Sequence, residues 1–205
     1  MTDISIWQAT ARNEVNAAGP LARLNGAADY EVVVIGAGFT GLSAALHLAE
    51  QRVSVAVLDA HDIGWGASGR TGGQVNPLLP VATPDELFAL MPPPYAERLA
   101  RVSLGSADFL FSLIKRHQIR CDARQTGWLR AHHSTKARQQ AEQAAQQWAA
   151  FGAEIQITEA EETAALTGTK TYRSASLNPS GGLVHPLKLA IGLAQAISAH
   201  TCCST

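Results

Sequence analysis

The chain has little of what would mark several large classes of protein. Only three of its 205 residues are cysteine. Cys121 stands alone, Cys202 and Cys203 are adjacent near the end, and no C-x-x-C or Cys/His ligand spacing occurs, so neither a metal site nor a structural disulfide is expected. The formal net charge of −1 leaves no excess of either sign for a polyanion, which argues against nucleic acid as a partner. No apolar run reaches the length needed to span a membrane, and the N-terminus lacks a charged-then-apolar secretory pattern. The cytoplasm is the default expectation. There is no repeat of solenoid period, and the Ala/Gln-rich stretch "ARQQAEQAAQQWAA" is too short for a coiled coil and reads as a surface helix. What the chain does have is a hydrophobic content of 46%, enough to build a core for one domain or two small ones.

The most informative segment is "EVVVIGAGFTGLSAALHLAE", residues 31–50. Val32 to Ile35 is an unbroken β-branched apolar run, the pattern of a parallel strand buried on both faces. Leu42, Ala45, Leu46 and Ala49 recur at helical spacing, so an amphipathic helix begins inside the glycine segment. Gly36, Gly38 and Gly41 therefore occupy a strand-to-helix turn. In a dinucleotide site Gly36 permits the turn, Gly38 lets the backbone approach a pyrophosphate, and Gly41 lets helix and strand pack closely. Ala37 and Thr40 belong to the same turn, and the helix N-terminus adds partial positive charge.

A second apolar strand, Val53 to Leu58, ends in Asp59 and completes a βαβ unit. A carboxylate at the tip of this strand, followed by Ala60, is placed to accept from a ribose hydroxyl and disfavours a 2′-phosphate. The next glycine-rich stretch, "GWGASGRTGGQV", holds five glycines in residues 64–75. Glycines free its backbone to present N–H groups, while Ser68 offers a hydroxyl and Arg70 a permanent charge suited to a diphosphate. The alternative for this stretch is a flexible linker. Trp65, Arg70 and Gln74 argue against simple flexibility.

"VVVIGAGFTGLSAALHLA", the acidic residue after the second strand, and "GASGRTGGQV" together resemble the FAD-dependent oxidoreductases of the D-amino-acid oxidase type, in particular their gamma-glutamylputrescine oxidoreductase-like branch. "SIWQATA" at residues 5–11 and "GGLVHPLKLAIGLAQA" at residues 181–196 agree with it. The resemblance implies FAD as cofactor, with Gly36, Ala37, Gly38, Thr40, Gly41, Asp59, Ala60, Ala67, Ser68, Gly69, Arg70, Gly72, Gly73 and Gln74 as its binding residues. Gly72, Gly73 and Gln74 are the expected flavin-side loop. It implies a small-molecule amine as substrate, hydride transfer to the flavin, and oxygen as acceptor. No catalytic base is assigned. Three positions depart from the pattern: Thr71 replaces an asparagine, Asp59 a glutamate, and Arg52 the glycine that would end the first helix, which predicts a blurred helix terminus.

The middle of the chain reads differently. "TPDELFAL" carries a capping box from Thr83 to Glu86 with Pro84 at the first helical position. One long helix follows through Leu99, Val102, Ala107, Leu110 and Ile114. "TGWLRAHH" reads as a strand, Ser134 as the cap of the next helix, Thr158 and Glu161 as a second capping box, and "TYRSASL" as another strand. His132, His133 and His185 are expected in surface, core or helix-capping roles, and Cys121 as an inert packed thiol. The fold class is thus α/β: a Rossmann-like FAD-binding βαβ domain with an incomplete α+β substrate lobe. Residues 1–80 form the FAD-binding segment with its N-terminal extension, 81–185 the substrate-lobe segment, and 186–205 a helix returning to the FAD domain and then an unpatterned tail, "TCCST". The tail and the chain's length, about half that of the family resembled, suggest a truncated copy from a fragmentary or frame-shifted gene, with an unfinished sheet open to self-association. Three functions follow: an FAD-dependent amine oxidoreductase, a non-catalytic FAD-binding remnant, and, from the glycine triplet alone, an NAD-dependent dehydrogenase.

Overall fold

The computed structural model describes residues 4–18, 23–79 and 82–201. Cys202, Cys203 and the rest of the "TCCST" tail beyond Thr201 lie outside them. In chain order the elements are α1 (Ile6–Thr10), α2 (Arg12–Ala18), β1 (Val32–Ile35), α3 (Phe39–Glu50), β2 (Val55–Leu58), a 3₁₀ turn (Ala67–Arg70) and β3 (Gln74–Val75). There follow α4 (Pro84–Leu90), α5 (Pro93–Arg116), β4 (Trp128–Ala131), α6 (Thr135–Ala149), β5 (Gln156–Thr158), α7 (Ala160–Thr167), β6 (Ala175–Asn178), β7 (Gly182–Leu183) and α8 (Pro186–Thr201). These elements sort into two compact units.

The first unit comprises the chain up to Gly73, Ile114–Ala123, and the chain from Val184 onwards. Its centre is the expected βαβ: β1 and β2 pair in parallel, Val32 opposite Val55 through Ile35 opposite Leu58. The apolar stripe of α3, Leu42, Ala45, Leu46 and Ala49, is buried, as its spacing predicts. It packs against α8, whose Leu187, Leu189, Ala190, Ile191 and Leu193 are also buried. Gly192 allows close approach inside this unit, because a Cβ there would overlap Ile119. α1 is fixed at its start by a reciprocal cap, Gln8 N–H to Ser5 Oγ and Ser5 N–H to Gln8 Oε1. At its end Thr10 Oγ1 lies 2.9 Å from His185 Nε2, and the Trp7 ring meets the His185 ring edge-on. His185 also accepts the Lys188 N–H on Nδ1 at 3.3 Å, so it caps α8. Burial and the Lys188 charge lower its pKa.

The structure corrects several local expectations. Among the described residues β1 is not covered on both faces: Val33 is 50% and Ile35 78% exposed. β2 starts at Val55, because Val53 N–H is spent on Leu48 O in the end of α3 and Ser54 N–H on the Glu31 carboxylate. Arg52 does not blur that end. It takes the left-handed conformation, φ 63, and the bonds Arg52 N–H to Ala49 O and Val53 N–H to Leu48 O close a complete Schellman motif.

The second unit comprises Gln74–Leu113 and Arg124–Leu183. An antiparallel sheet in the order β4-β6-β5 and a short antiparallel pair β3-β7 form its strands. Leu87, Ala96, Ala100 and Trp148 make its core, packed by Leu78, Leu79, Phe151 and Ile155. Ser134 caps α6 as expected, accepting Ala137 N–H at 3.1 Å. Thr158 does not cap α7; it is buried at the end of β5 and shares a hydrogen bond with Thr163, and Glu159 takes the N-cap position. His132 is buried between the Ser174 and Ser176 hydroxyls, at 2.9 and 2.8 Å, a satisfied core histidine. Among the described residues no helix is long and apolar enough to cross a membrane.

Candidate dinucleotide site

The site begins with what the glycines allow. Gly36 adopts φ +106, open to glycine and strained for any other residue. Gly41 has no room for a side chain, since a Cβ would overlap Gly36 O and crowd Val34 Cγ1 at 3.2 Å. Gly38 differs from both. A Cβ there would meet Ser68 Oγ at 3.0 Å and nothing else closer than Ser68 Cβ at 3.9 Å, so the side facing away from Ser68 is open. Gly38 is the N-cap of α3 and its first helical bond runs from Leu42 N–H to Gly38 O. The first-turn amides of α3 thus point out of the helix beside an uncluttered backbone, the arrangement that receives an anion.

Two side chains are pinned to this turn. Asp59, at the tip of β2, accepts Ala37 N–H on Oδ2 at 2.7 Å and His61 N–H on Oδ1 at 2.8 Å. The Ala37 amide and then the His61 amide hold its carboxyl below its ordinary pKa. Each oxygen keeps a lone pair for a hydroxyl donor. Ser68 accepts Phe39 N–H at 3.0 Å, which ties the second glycine-rich stretch to the first turn of α3.

The rest of that stretch is an anchored loop. Gly64 N–H donates to Ala37 O and Gly69 N–H to Gly64 O, both at 3.0 Å. Gly69 is buried, where a Cβ would overlap Gly64 O and crowd Leu187. Gly73, at φ +74, leaves room for Val184 O. Their lack of a side chain serves packing. Gly72 has nothing within 4 Å of a Cβ position. Arg70 lies 4.8 Å over the Trp65 ring, which stacks on His61 at 3.9 Å, and it lines a cavity of about 230 Å³ with Gln8 and Arg12. Thr40, Ala60 and Ala67 are exposed, and Gln74 lies exposed in the second unit on β3.

Gly36, Ala37, Gly38, Asp59 and Ser68 are therefore gathered by the fold into one place. Sequence reasoning passed over Gly64, which takes φ +66 and lies so near α8 that a Cβ on it would stand 3.1 Å from Ala190 Cβ. The signal was present only as one more glycine among five.

A parallel βαβ with its glycine turn, a carboxylate at the tip of the second strand, and a second unit with antiparallel sheets define a Rossmann-like dinucleotide-binding protein. The sequence profile of the FAD dependent oxidoreductases (DAO) matches residues 31–202, and the chain belongs to that family, whose cofactor is FAD. It is 38% identical over 188 residues to gamma-glutamylputrescine oxidoreductase of Escherichia coli, covering 89% of this chain and 42% of that one. Among solved structures it is similar to an L-amino acid deaminase from Proteus myxofaciens, with a TM-score of 0.69, 19% identity, and coverage of 88% and 39% of the two chains. Glycine oxidase from Geobacillus kaustophilus superposes with a TM-score of 0.64 at 20% identity, covering 84% and 45%. The chain spans between 38% and 42% of the length of the curated relatives it matches.

Proposed function

We propose that these residues form the adenosine and pyrophosphate part of the FAD site in an oxidoreductase acting on a primary or secondary amine, either gamma-glutamylputrescine-like or an amino acid, with oxygen as the acceptor. The observation that carries the reading is the Asp59–Ala37 bond, which sets an ionised carboxylate against an open glycine turn. Asp59 would accept from the ribose hydroxyls, the first-turn amides of α3 would face the pyrophosphate, and Ser68 would stand beside them. Ala60, Ala67 and Arg70 flank these groups along the chain, and Gly72 and Gly73 are proposed for the flavin-side backbone. FAD, when bound, supplies a two-electron acceptor for the hydride leaving the amine-bearing carbon. The chain's own contribution is to bind and orient it.

The experiment is an FAD titration followed by flavin fluorescence. Gly38→Val should abolish uptake with the fold intact, because its side chain displaces Ser68 and fills the open side of the turn. Asp59→Ala should weaken uptake by about 1.5–3 kcal/mol, the value of a charge-assisted hydrogen bond. Unchanged uptake by Gly38→Val would sink the site. A second reading, FAD binding without turnover by these 205 residues alone, is favoured by the 42% coverage of the Escherichia coli relative. Peroxide release from gamma-glutamylputrescine, simple polyamines and sarcosine separates the two readings. We further propose that the open β1–β2 sheet supports self-association.

A further inference from the structure

The second unit holds a cavity of its own, of about 230 Å³, built from residues other than those of the glycine turn. Strand register fixes one wall. Across the β4–β6 pair Trp128 stands opposite Asn178 and Arg130 opposite Ser176, so these four side chains share a face of the sheet, and all four line the cavity. The facing wall comes from α6, through Ala141, Ala144 and the buried Trp148. Arg130 is the one charged side chain among the described residues that line it.

Two donors on that shared face are unspent. Asn178 is 4% exposed, and its Oδ1 accepts the Ser180 N–H at 3.1 Å and the Ser180 hydroxyl at 2.9 Å. The Ser180 N–H can only donate, which settles which end of the amide is oxygen. Nδ2 is then on the opposite side, and it is the buried side-chain atom left without a hydrogen-bond partner among the described residues. Arg130 enters none of the ion pairs among those residues. The two are diagonal neighbours across the strand pair, about 7–8 Å apart at the backbone, a gap that one small acceptor group and its hydrogen bonds can fill. A buried amide donor left unpaired is costly, and an acceptor supplied from outside removes that cost.

We propose that this cavity binds a small monocarboxylate, its two oxygens accepting from Asn178 Nδ2 and the Arg130 guanidinium and its short aliphatic or aromatic tail lying against the alanines of α6 and Trp148. The chemistry selects that class. An ammonium group is repelled by Arg130 and offers Asn178 no acceptor. An alcohol satisfies Asn178 but leaves the guanidinium unmatched. A dianion brings more charge than one arginine balances, and a lone water uses neither the charge nor the apolar wall.

The test uses the full 205-residue chain. Hexanoate, benzoate, hexanol and hexylamine are titrated by calorimetry, with the indole N–H resonances of Trp128 and Trp148 followed by NMR. The two carboxylates should bind saturably and shift both indole signals; the alcohol and the amine should not. Arg130→Gln and Asn178→Asp should each weaken hexanoate by about tenfold or more. Asn178→Asp keeps an oxygen for Ser180 and turns the free donor into an acceptor. If that variant fails to fold, Arg130→Gln, at an exposed residue, carries the test. Hexanol binding as tightly as hexanoate, hexanoate affinity unchanged in Arg130→Gln, or no saturation by either carboxylate up to on the order of 10 mM would overturn the proposal. None of these readouts involves flavin, so failure here leaves the dinucleotide site untouched.

Discussion

Asp59 is held by the fold at the point where the ribose hydroxyls are proposed to bind. Its two bonds, to Ala37 and His61, lower its pKa, so its folded value lies below its unfolded one. The stabilisation is complete at pH above the ordinary carboxylate range and is lost as pH falls through the folded value. Asp59→Asn, which must present an amide nitrogen to one of the two N–H donors, should therefore unfold at a lower temperature than the parent at neutral pH. The gap should narrow as both are taken down to about pH 2, and a gap constant with pH would show that the carboxylate charge contributes nothing. The placement of Gly36, Gly38, Gly41 and Asp59 around one strand-to-helix turn was legible from spacing alone, because a strand, a turn and a helix close in sequence determine it. Gly64 and Gly69 were not legible as packing glycines. Gly64 is required by its φ of +66 and by Ala190 on α8, and Gly69 chiefly because a Cβ there would overlap Gly64 O, with Leu187 close behind; neither the loop's fold back on itself nor the distant helix pressing on it shows in a local pattern.

At the scale of elements, α3 ends more sharply than its sequence suggests. The missing glycine at residue 52 predicts fraying, yet Arg52 is held at φ 63 because the bonds to Ala49 O and Leu48 O must be made for β2 to start three residues later. That geometry strains a residue with a Cβ by about 1–2 kcal/mol, partly offset because glycine has more freedom to lose on folding. Arg52→Gly should then stabilise the chain by about 0.5–1 kcal/mol, read as a raised denaturation midpoint with an unchanged slope. Thr158 illustrates the opposite failure. Its spacing to Glu161 fits a capping box, but a position at the end of a central-sheet neighbour draws it inward to Thr163, and burial overrides the local motif. The long α5 and the cap at Ser134 were readable beforehand, because each rests on contacts within a few residues; for His132 the sequence left surface and core roles open, and its distant partners Ser174 and Ser176 decide between them.

Across the whole molecule, the largest departure from expectation is the bare face of β1. A continuous apolar run implies cover on both sides; among the described residues α3 covers one, and Val33 and Ile35 stand open on the other. The sheet of the first unit has two strands, so both of its outer edges are also unpaired among those residues. Apolar surface beside unpaired backbone is a template for another strand. Sedimentation velocity should show association that grows with concentration, and the double substitution Val33→Thr with Ile35→Lys should shift the population toward monomer. A parent chain monomeric at every concentration would refute self-association.

The path of the backbone has a temporal consequence. The first unit is assembled from three separated stretches, and α3, which ends at Glu50, finds its packing partner in α8, which begins at Pro186. On a ribosome adding roughly 5–20 residues per second, the glycine turn waits on the order of ten seconds for the helix that buries its supporting face. Contacts so distant along the chain form slowly even in a complete polypeptide. Until α8 is made, the face of α3 that packs against it lacks that partner and is available to chaperones or to other nascent chains. The nucleotide-binding part, written first in the sequence, is thus among the last to become solid.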